Sequence, residues 1–311
     1  MRTASHEPQR WGLILAGGEG ERLRPLTRVV CGDDRPKQFC AVVGLETLLE
    51  RTRRRAALAI PPARTVMALT RAHERFYRPL IAGMPGHCAL VQPENRGTAP
   101  AILYGLLRIA ALAPTATVAI LPSDHYVGDD RAFMRHVTAA CAAAEARPEL
   151  VVLLGIVPAG AETEYGWIEP GAPVPGTTLL RVGRFYEKPT AALATALLER
   201  GCLWNSFVMV GGMPAWLALI RDAMPALDEA FRGLGDRLGT PAEDAAVRAL
   251  YARLPASSFS ADVLAARPSS LAVLPVKGVD WCDWGQPGRV LSTLARLGVR
   301  PAWAERVRVT A

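Results

Sequence analysis

The first half of the chain alternates short apolar runs with longer segments of helical periodicity. Strands are predicted at four apolar runs: WGLILAG (11–17), TVMALT (65–70), TVAILP (117–122) and LVVLLGIVP (150–158). Helices are predicted at ETLLERTRRRAALAI (46–60), AHERFYRPLI (72–81), TAPAILYGLLRIAAL (98–112) and AFMRHVTAACAAAEA (132–146). Continuous apolar strands are buried on both faces, and the helices between them imply crossover connections. The pattern therefore predicts a doubly wound α/β fold with a mostly parallel sheet.

The pattern changes after about residue 158. A Gly- and Pro-rich segment at 158–176 predicts a lid or an insertion on the substrate side, and TLLRVGRFYEKPT (178–190) predicts a strand with a charged exit. A helical stretch follows at 213–254, and an apolar run at 270–276 precedes the last helical pattern. We expect one domain over residues 1–311, made of two halves (8–157 and 158–285) and a C-terminal helical or tail segment (286–311).

Composition narrows the choice of partner. The 311 residues are 50% hydrophobic and carry a net charge of +7, which suits either an anionic substrate or a nucleic acid. No basic run is interleaved with aromatic residues, and the arginines of RTRRRAAL (51–58) fit the solvated face of a helix, so we expect no nucleic-acid partner.

The cysteine spacing and the lengths of the apolar runs indicate where in the cell the protein is located. The six cysteines have no metal-ligand spacing, which favours reduced thiols in the cytoplasm. The sequence has no signal-peptide pattern and no apolar run of the roughly 20 residues that a membrane span needs. We therefore expect a cytoplasmic protein without a membrane partner.

A glycine loop, LAGGEGERLRPLT (15–27), follows the first predicted strand. In doubly wound sheets, ligands bind beyond the carboxyl ends of the strands. Gly17, Gly18 and Gly20 leave space against the main chain, and Arg22 and Arg24 supply positive charge. The loop matches neither GxGxxG nor the Walker pattern. It predicts a phosphate site of another kind, and the alternative is a tight turn with surface arginines.

Two carboxylates and a lysine extend this site. Asp124 follows the strand TVAILP, and Asp283 lies between aromatic residues in DWCDWG. Two carboxylates at strand ends suit Mg²⁺ when phosphate oxygens and water complete its ligands. Lys37 in RPKQF offers a cation for phosphate. The alternatives are a helix cap or a loop contact for either aspartate, and a solvated surface for the lysine.

A third group of polar residues follows later strands. Glu187 and Lys188 leave a strand in FYEKP, and Asn205 leaves one in LWNSF. A carboxylate, an ammonium and an amide that face one pocket would suit a polyhydroxyl ligand bearing a phosphate. Each residue alone is equally typical of a charged exit or a turn.

Together these segments resemble the sugar nucleotidyltransferases, and most closely the mannose-1-phosphate guanylyltransferases. The motifs that carry the resemblance, in family order, are LAGGEGERLRPLT, RPKQF, QPENRGTAPAI, LPSDH, YGWIEPG, FYEKP, LWNS and DWCDWG. The resemblance implies a Rossmann-like nucleotidyltransferase fold, with a mostly parallel, mixed sheet and a sugar-side insertion. It also implies Mg²⁺-dependent conversion of GTP and mannose 1-phosphate to GDP-mannose and pyrophosphate, and it allows a homodimer, which is common among these enzymes.

The resemblance assigns a role to each matching residue. The implied nucleotide-binding residues are Leu15, Ala16, Gly17, Gly18, Gly20, Glu21, Arg22, Gln92, Arg96, Gly97 and Thr98. The implied sugar-phosphate-binding residues are Gly166, Glu187, Lys188 and Asn205. The implied catalytic residues are Arg22, Lys37, Asp124, Lys188 and Asp283, of which Asp124 and Asp283 would bind the magnesium ion.

The sequence departs from the family pattern at two positions. Glu21 stands where relatives often have Thr, and Phe207 stands where they have Gly. Because Phe207 would reshape the sugar pocket, one alternative is the same reaction with another sugar 1-phosphate or another nucleotide. A second alternative is a catalytically silent protein that binds nucleotide sugars for regulation. Since the sequence stops at residue 311, we expect neither an isomerase half nor a C-terminal β-helix.

Overall fold

The computed structural model describes residues 9–306, which form one large mixed sheet with helices on both faces. The strands are β1 (Arg10–Leu15), β2 (Thr65–Thr70), β3 (Ala89–Gln92), β4 (Thr117–Pro122), β5 (Tyr126–Val127), β6 (Val151–Ile156), β7 (Gly166–Pro173), β8 (Leu180–Glu187), β9 (Leu203–Gly212), β10 (Leu271–Val276) and β11 (Trp281–Cys282). The α-helices are α1 (Arg24–Cys31), α2 (Leu48–Ala56), α3 (Glu74–Ile81), α4 (Thr98–Ala110), α5 (Asp130–Ala146), α6 (Ala191–Glu199), α7 (Met213–Ala223), α8 (Pro225–Arg232), α9 (Glu243–Tyr251) and α10 (Pro287–Arg296). A π-helix covers Phe259–Leu264.

The strand order of the large sheet is β3-β2-β1-β4-β9-β6-β10-β8-β7. The first four strands in this order are parallel, so β1, β2, β3 and β4 all end at the same edge. Strand β9 runs antiparallel between β4 and β6, which makes the sheet mixed. The doubly wound α/β class predicted from the apolar pattern is confirmed.

The sheet is buried on both faces, as its continuous apolar strands predict. On β1, Leu13 faces one core with α4, α7, α8 and α9, and Ile14 faces the other with α2, α3, α5 and α6. Strand β9 belongs to the second predicted half but pairs with strands of the first. The boundaries at 157 and 285 stay predictions, and residues 8 and 307–311 of the predicted segments lie outside the described residues.

A smaller core holds the C-terminal helix against the segment that follows the glycine loop. Val290 and Leu294 of α10 pack with Leu23, Leu26 and Trp284. The short strands β5 and β11 pair antiparallel beside this core. Residue 283, which directly follows β11, is thereby brought next to the glycine loop.

Two local expectations were wrong, and one strand was not predicted. The Gly- and Pro-rich segment contains the strand β7, whose pairing with β8 shifts register around Pro170 and Pro173. Asn205 lies inside β9 rather than at a strand exit. Arg55 is buried and not solvated, because its Nε donates to Asp130 Oδ1 at 2.6 Å.

Two further observations concern the cysteines and the lengths of the helices. All six cysteines fall within the described residues and are free thiols. Between residues 9 and 306, every helix is too short or too polar to cross a bilayer.

We predict that Gly105→Ala lowers the free energy of unfolding by about 1–3 kcal/mol, because overpacking a filled core forces side chains off their rotamers. A Cβ at Gly105 in α4 would lie 2.5 Å from Leu13 Cδ1, and Leu13 is fully buried. Urea unfolding followed by circular dichroism measures this change.

The matched control is Gly288→Ala in α10, where a Cβ would meet no atom within 4 Å. It should be neutral or stabilise the protein by up to about 1 kcal/mol, since alanine favours helix. Equal stability of the two variants would contradict close packing of α4 on β1.

Candidate functional site

The glycine loop begins where β1 ends, and its first glycine is required by close packing. A Cβ at Gly17 would lie 2.7 Å from Thr70 Oγ1, which donates a hydrogen bond to the Gly17 carbonyl at 3.0 Å. Gly20 has φ of +61°, in the left-handed region that favours glycine. A Cβ at Gly18 would meet nothing within 4 Å, so this position instead leaves free space above the loop.

Gln38 fixes the loop from below. Its Nε2 donates to the carbonyl oxygens of Ala16 at 3.1 Å and of Gly18 at 2.8 Å, and the side chain is buried. With two carbonyls turned towards Gln38, the backbone of the loop is held in one arrangement.

Arg22 follows the loop on a short 3₁₀ helix, Glu21–Leu23. Its Nη1 forms an ion pair with Glu164 Oε2, which lies in the segment between β6 and β7. About half of the Arg22 side chain is exposed, so an incoming anion can reach the guanidinium and replace Glu164. Glu21 and Arg22 line one cavity, to which Glu21 adds a negative charge.

Lys37 is a buried cation at the centre of the site. Its Nζ donates to the carbonyl oxygens of Asp283 at 2.6 Å and Trp284 at 3.1 Å, and lies 3.3 Å from Asp124 Oδ2. The lysine therefore joins three distant segments of the chain. Trp284 has φ of +48°, a conformation that a non-glycine residue adopts only when its surroundings enforce it.

The Asp283 carboxylate is held by three donors on one oxygen. Oδ1 accepts from Tyr165 Oη at 3.0 Å, from the Gly285 N–H at 2.9 Å and from Arg289 Nη1 at 2.9 Å. Burial by itself raises the pKa of Asp283, but neighbouring charges, including Lys37 and Arg289, and the Gly285 N–H outweigh burial and lower it. Asp283 is therefore ionised at neutral pH.

Two adjoining cavities lie at this edge of the sheet. The phosphate-loop cavity, of about 590 Å³, is lined by Glu19, Gly20, Glu21, Arg22, Leu23, Lys37, Asn95, Asp124, His125, Asp283 and Gly285. The central cavity, of about 400 Å³, is lined by Leu15, Gly17, Gly18, Gln38, Ala68, Gln92, Asn95, Gly97, Thr98, Ala101, Pro122, Ser123, Asp124, His125, Glu187, Phe207, Ser258 and Ser260. Asn95, Asp124 and His125 line both, so the two form one continuous site.

The site has the chemistry that a hard divalent cation requires. Asp124 and Asp283 line the phosphate-loop cavity together, and carboxylate oxygens are the ligands that Mg²⁺ prefers. In residues 9–306, no group of three or more His, Cys, Asp or Glu side chains is placed to hold a metal. Asp124 and Asp283 are the two carboxylates that would hold such a cation at this cavity.

On the other side of the central cavity, Gln92, Gly97 and Thr98 are fixed by the chain near residue 257. Gln92 Oε1 accepts from Tyr251 Oη at 3.2 Å, and Thr98 Oγ1 accepts from the Phe259 N–H at 2.8 Å. Gly97 has φ of +84°, and a Cβ there would lie 2.2 Å from the Ser257 carbonyl oxygen.

Two predicted nucleotide-binding residues do not line either cavity. Arg96 Nε donates to the Tyr251 carbonyl at 3.1 Å, and its Nη2 lies 2.9 Å from Glu94 Oε2. Ala16 is fully buried, and its N–H donates to the Ala68 carbonyl. Their contacts support the loop and the neighbouring backbone.

The predicted sugar residues lie on three adjacent strands, except Lys188, which directly follows β8. Gly166 on β7 pairs with Glu187 on β8, and a Cβ at Gly166 would lie 3.3 Å from Asn205 Cβ on β9. Partial burial raises the pKa of Glu187, whereas Lys188 and Ser260 act in the opposite direction. Glu187 lines the central cavity, and Lys188 is exposed beside it, with φ of +46°.

Phe207 lies in an irregular part of β9 and lines the central cavity. Its φ is +58°, which explains why a glycine would suit this position. The Phe207 N–H donates to Asn205 Oδ1 at 3.0 Å, and Ser206 Oγ donates to the Leu154 carbonyl at 2.7 Å. Side chains thus fix this bulge, where the pairing of β6 with β9 shifts register.

Comparison with known proteins identifies the family of this chain. A family model described as nucleotidyl transferase matches residues 11–216. The chain belongs to the nucleotidyl transferase family. The resemblance noted in the sequence is therefore confirmed at the level of the family.

Two named relatives are similar to this chain over 221 and 277 residues. Xanthan biosynthesis protein XanB of Xanthomonas campestris pv. campestris is 36% identical over 221 residues, which cover 70% of this chain and 45% of the relative. A mannose-1-phosphate guanylyltransferase of Sinorhizobium fredii is 30% identical over 277 residues, which cover 86% of this chain and 48% of the relative. The chain spans about half the length of these relatives.

A solved structure has the same fold. A protein of Thermus thermophilus, named a mannose-1-phosphate geranyltransferase, is 35% identical and superimposes with a TM-score of 0.78. The match covers 91% of this chain and 79% of that protein. The likeness confirms the nucleotidyltransferase type of α/β fold.

The cavities of the present chain are also lined by residues that the sequence analysis did not predict as site residues. Gln38 and Asn95 lie within the quoted motifs RPKQF and QPENRG, so their place next to the loop was the available signal. Ser258, directly before the π-helix, and Ser260, within it, belong to none of these motifs and gave no signal. Burial lowers the pKa of His125, which makes its imidazole neutral at pH 7 and unsuited to neutralising phosphate.

We predict that Gln38→Met lowers the free energy of unfolding by about 1–3 kcal/mol, since at similar side-chain volume it removes the donor from the buried Ala16 carbonyl and the partly buried Gly18 carbonyl. Amide hydrogen exchange of residues 16–20 should accelerate more than exchange of the β2 amides. The control is Gln286→Met, where the exposed side chain caps nothing at α10. Unchanged exchange in the loop would show that Gln38 does not hold it.

Proposed function

We propose that the chain transfers a guanylyl group from GTP to mannose 1-phosphate, forming GDP-mannose and pyrophosphate with Mg²⁺. The observation that carries this proposal is the meeting of the glycine loop, Lys37, Asp124 and Asp283 at one cavity that continues to Glu187. The relatives named mannose-1-phosphate guanylyltransferase support the choice of nucleotide and sugar.

In this proposal, the backbone N–H groups of the glycine loop bind the triphosphate. The N-terminus of the short helix that follows the loop adds partial positive charge. Arg22 exchanges its ion pair with Glu164 for phosphate oxygens, and Lys37 neutralises charge from beneath the site. Gln92, Gly97 and Thr98 line the base pocket. Arg96 and Ala16 support this arrangement from behind.

The attacking sugar phosphate has a second pKa of about 6 and is mostly a dianion at pH 7, so its oxygen needs no general base. Glu187 and Asn205 would read sugar hydroxyls, and Lys188 would bind the sugar phosphate. A magnesium ion on Asp124 and Asp283 would neutralise negative charge on the phosphates. The protein's main task is then to bring two anions together and hold them in line.

Phe207 favours a second candidate, which is the same reaction with another sugar 1-phosphate or another nucleotide. Its side chain fills part of the central cavity near Glu187, where glycine would leave space. A smaller or differently oriented sugar would fit the part of the central cavity that Phe207 narrows.

The test is a pyrophosphate-release assay with Mg²⁺, in which GTP, ATP, UTP, dTTP and CTP are crossed with the 1-phosphates of mannose, glucose and galactose. We expect selective turnover of GTP with mannose 1-phosphate. Preference for another pair would support the second candidate, and absence of turnover with every pair would refute a transferase acting on these substrates.

For the preferred pair, we predict that Asp124→Asn lowers kcat/KM by at least about 100-fold, the effect typical of losing a group that stabilises charge in the transition state. The control is Asp244→Asn, an exposed aspartate that pairs with Arg71 and Arg248 away from the site. Equal activity of Asp124→Asn and the wild type would exclude Asp124 from catalysis.

We predict that Glu164→Gln lowers KM for the nucleotide by about two- to fivefold at low salt, because exposed ion pairs contribute up to about 1 kcal/mol. Removing the carboxylate removes the anion that competes for Arg22. Initial rates at varied nucleotide concentration measure the change, which should shrink at high salt. An increase in KM would show that Glu164 positions Arg22 for phosphate.

A further inference from the structure

The cluster around Arg289 lies outside the residues given a role above. Arg289 is in the first turn of α10, and 14% of its side chain is exposed. Its two terminal nitrogens bind different carboxylates: Nη1 lies 2.9 Å from Asp283 Oδ1, and Nη2 lies 2.6 Å from Glu162 Oε2. The guanidinium also lies over the Tyr165 ring, with Cζ 4.3 Å from the ring centroid.

All the named contacts of the Asp283 carboxylate converge on one oxygen. Tyr165 Oη, the Gly285 N–H and Arg289 Nη1 each donate to Oδ1. No hydrogen bond between residues 9 and 306 ends on Oδ2, and Asp283 and Asp124 both line the phosphate-loop cavity. The arrangement fixes the carboxylate plane and leaves Oδ2 available to a ligand.

The backbone of the same residue is fixed from another direction. Lys37 Nζ binds the Asp283 and Trp284 carbonyls, so it orients the main chain but does not hold the carboxylate. The supports of Arg289 are independent of Lys37, because Val290 and Leu294 pack α10 against Leu23 and Leu26. Rotation of the Asp283 side chain is therefore controlled by Tyr165, Gly285 and Arg289.

We propose that Arg289, assisted by Tyr165, is a positioning residue that orients Asp283 Oδ2 towards the divalent cation. This proposal rests on the proposed function, since it takes Asp283 as a metal ligand. Neighbours that orient metal-binding carboxylates typically change metal affinity by about 10–100-fold when they are removed.

The sign of the effect separates positioning from simple electrostatics. Arg289 is a cation next to a cation site, so a role through charge alone would weaken metal binding, and its removal would tighten binding. A positioning role predicts the opposite, because a rotating carboxylate is a poorer ligand.

The test measures Mn²⁺ binding by water proton relaxation, with the full chain and a fixed concentration of GTP, against Mn²⁺ with GTP alone. We expect Arg289→Met to raise the Kd of Mn²⁺ about tenfold. Tyr165→Phe, which changes no charge, should raise it about threefold through the loss of one hydrogen bond. Arg289→Lys should lie between the wild type and Arg289→Met, since an ammonium cannot donate as a planar fork.

The matched control is Arg296→Met, two turns along α10, where the arginine pairs with Asp280 at the surface. Its Kd should equal that of the wild type. Circular dichroism and thermal unfolding establish that each variant folds, and if Arg289→Met does not fold, Tyr165→Phe decides the matter. An unchanged or lower Kd in the folded variants, or no Mn²⁺ site in the wild type beyond GTP alone, would overturn the proposal.

The pyrophosphate assay distinguishes failure of this inference from failure of the proposed function. Turnover that survives with an unchanged Mn²⁺ affinity in Arg289→Met overturns only the positioning role. Weaker Mn²⁺ binding in Arg289→Met, in a protein that turns over no tested pair, supports the positioning role at a site with another substrate.

Discussion

The ammonium of Lys37 is buried at a point where three segments remote in sequence meet. It contacts the Asp124 carboxylate after β4 and the carbonyls of Asp283 and Trp284 after β11. An isolated buried charge is strongly unfavourable, so these segments can surround the lysine only in the arrangement that supplies its partners. The spacing of the two aspartates depends on this one side chain, whereas the C-terminal helix that carries Arg289 is held by its own apolar packing on Leu23 and Leu26.

Backbone strain in the described chain is concentrated around the same site. Lys188, Phe207 and Trp284 are its non-glycine residues with positive φ, and each lies in or beside the predicted substrate region. Such conformations cost about 1–3 kcal/mol and persist only when surrounding contacts enforce them. Here the contacts are visible for two of them: Lys37 holds the Trp284 carbonyl, and Asn205 holds the Phe207 N–H. The strain fits a site built to present side chains in fixed directions.

Much of the sheet was predictable from sequence because its first strands are continuous apolar runs separated by helices. The glycine loop, Asp124 and Lys37 could be found for the same reason, since they directly follow such strands or lie in compact motifs. Strand β7 was missed because Pro170 and Pro173 argue against a strand. They are tolerated because they lie where β7 pairs with β8 alone and shifts register, beyond the two residues that also pair with β9. The burial of Arg55 and the place of Arg289 were not predictable, because each depends on a carboxylate from a distant segment.

The position of β9 has a consequence for the order in which the chain folds. Strand β4 completes its pairing only with residues 209–212, and β6 pairs with β10 through Val151 and Leu271. If β1 to β4 pair before residues 209–212 are synthesised, their sheet has an open, apolar edge at β4. Such edges favour association with other chains, and late non-local pairing slows folding. Strand β9 therefore does for β4 what no earlier part of the chain can do: it covers the edge of the parallel sheet.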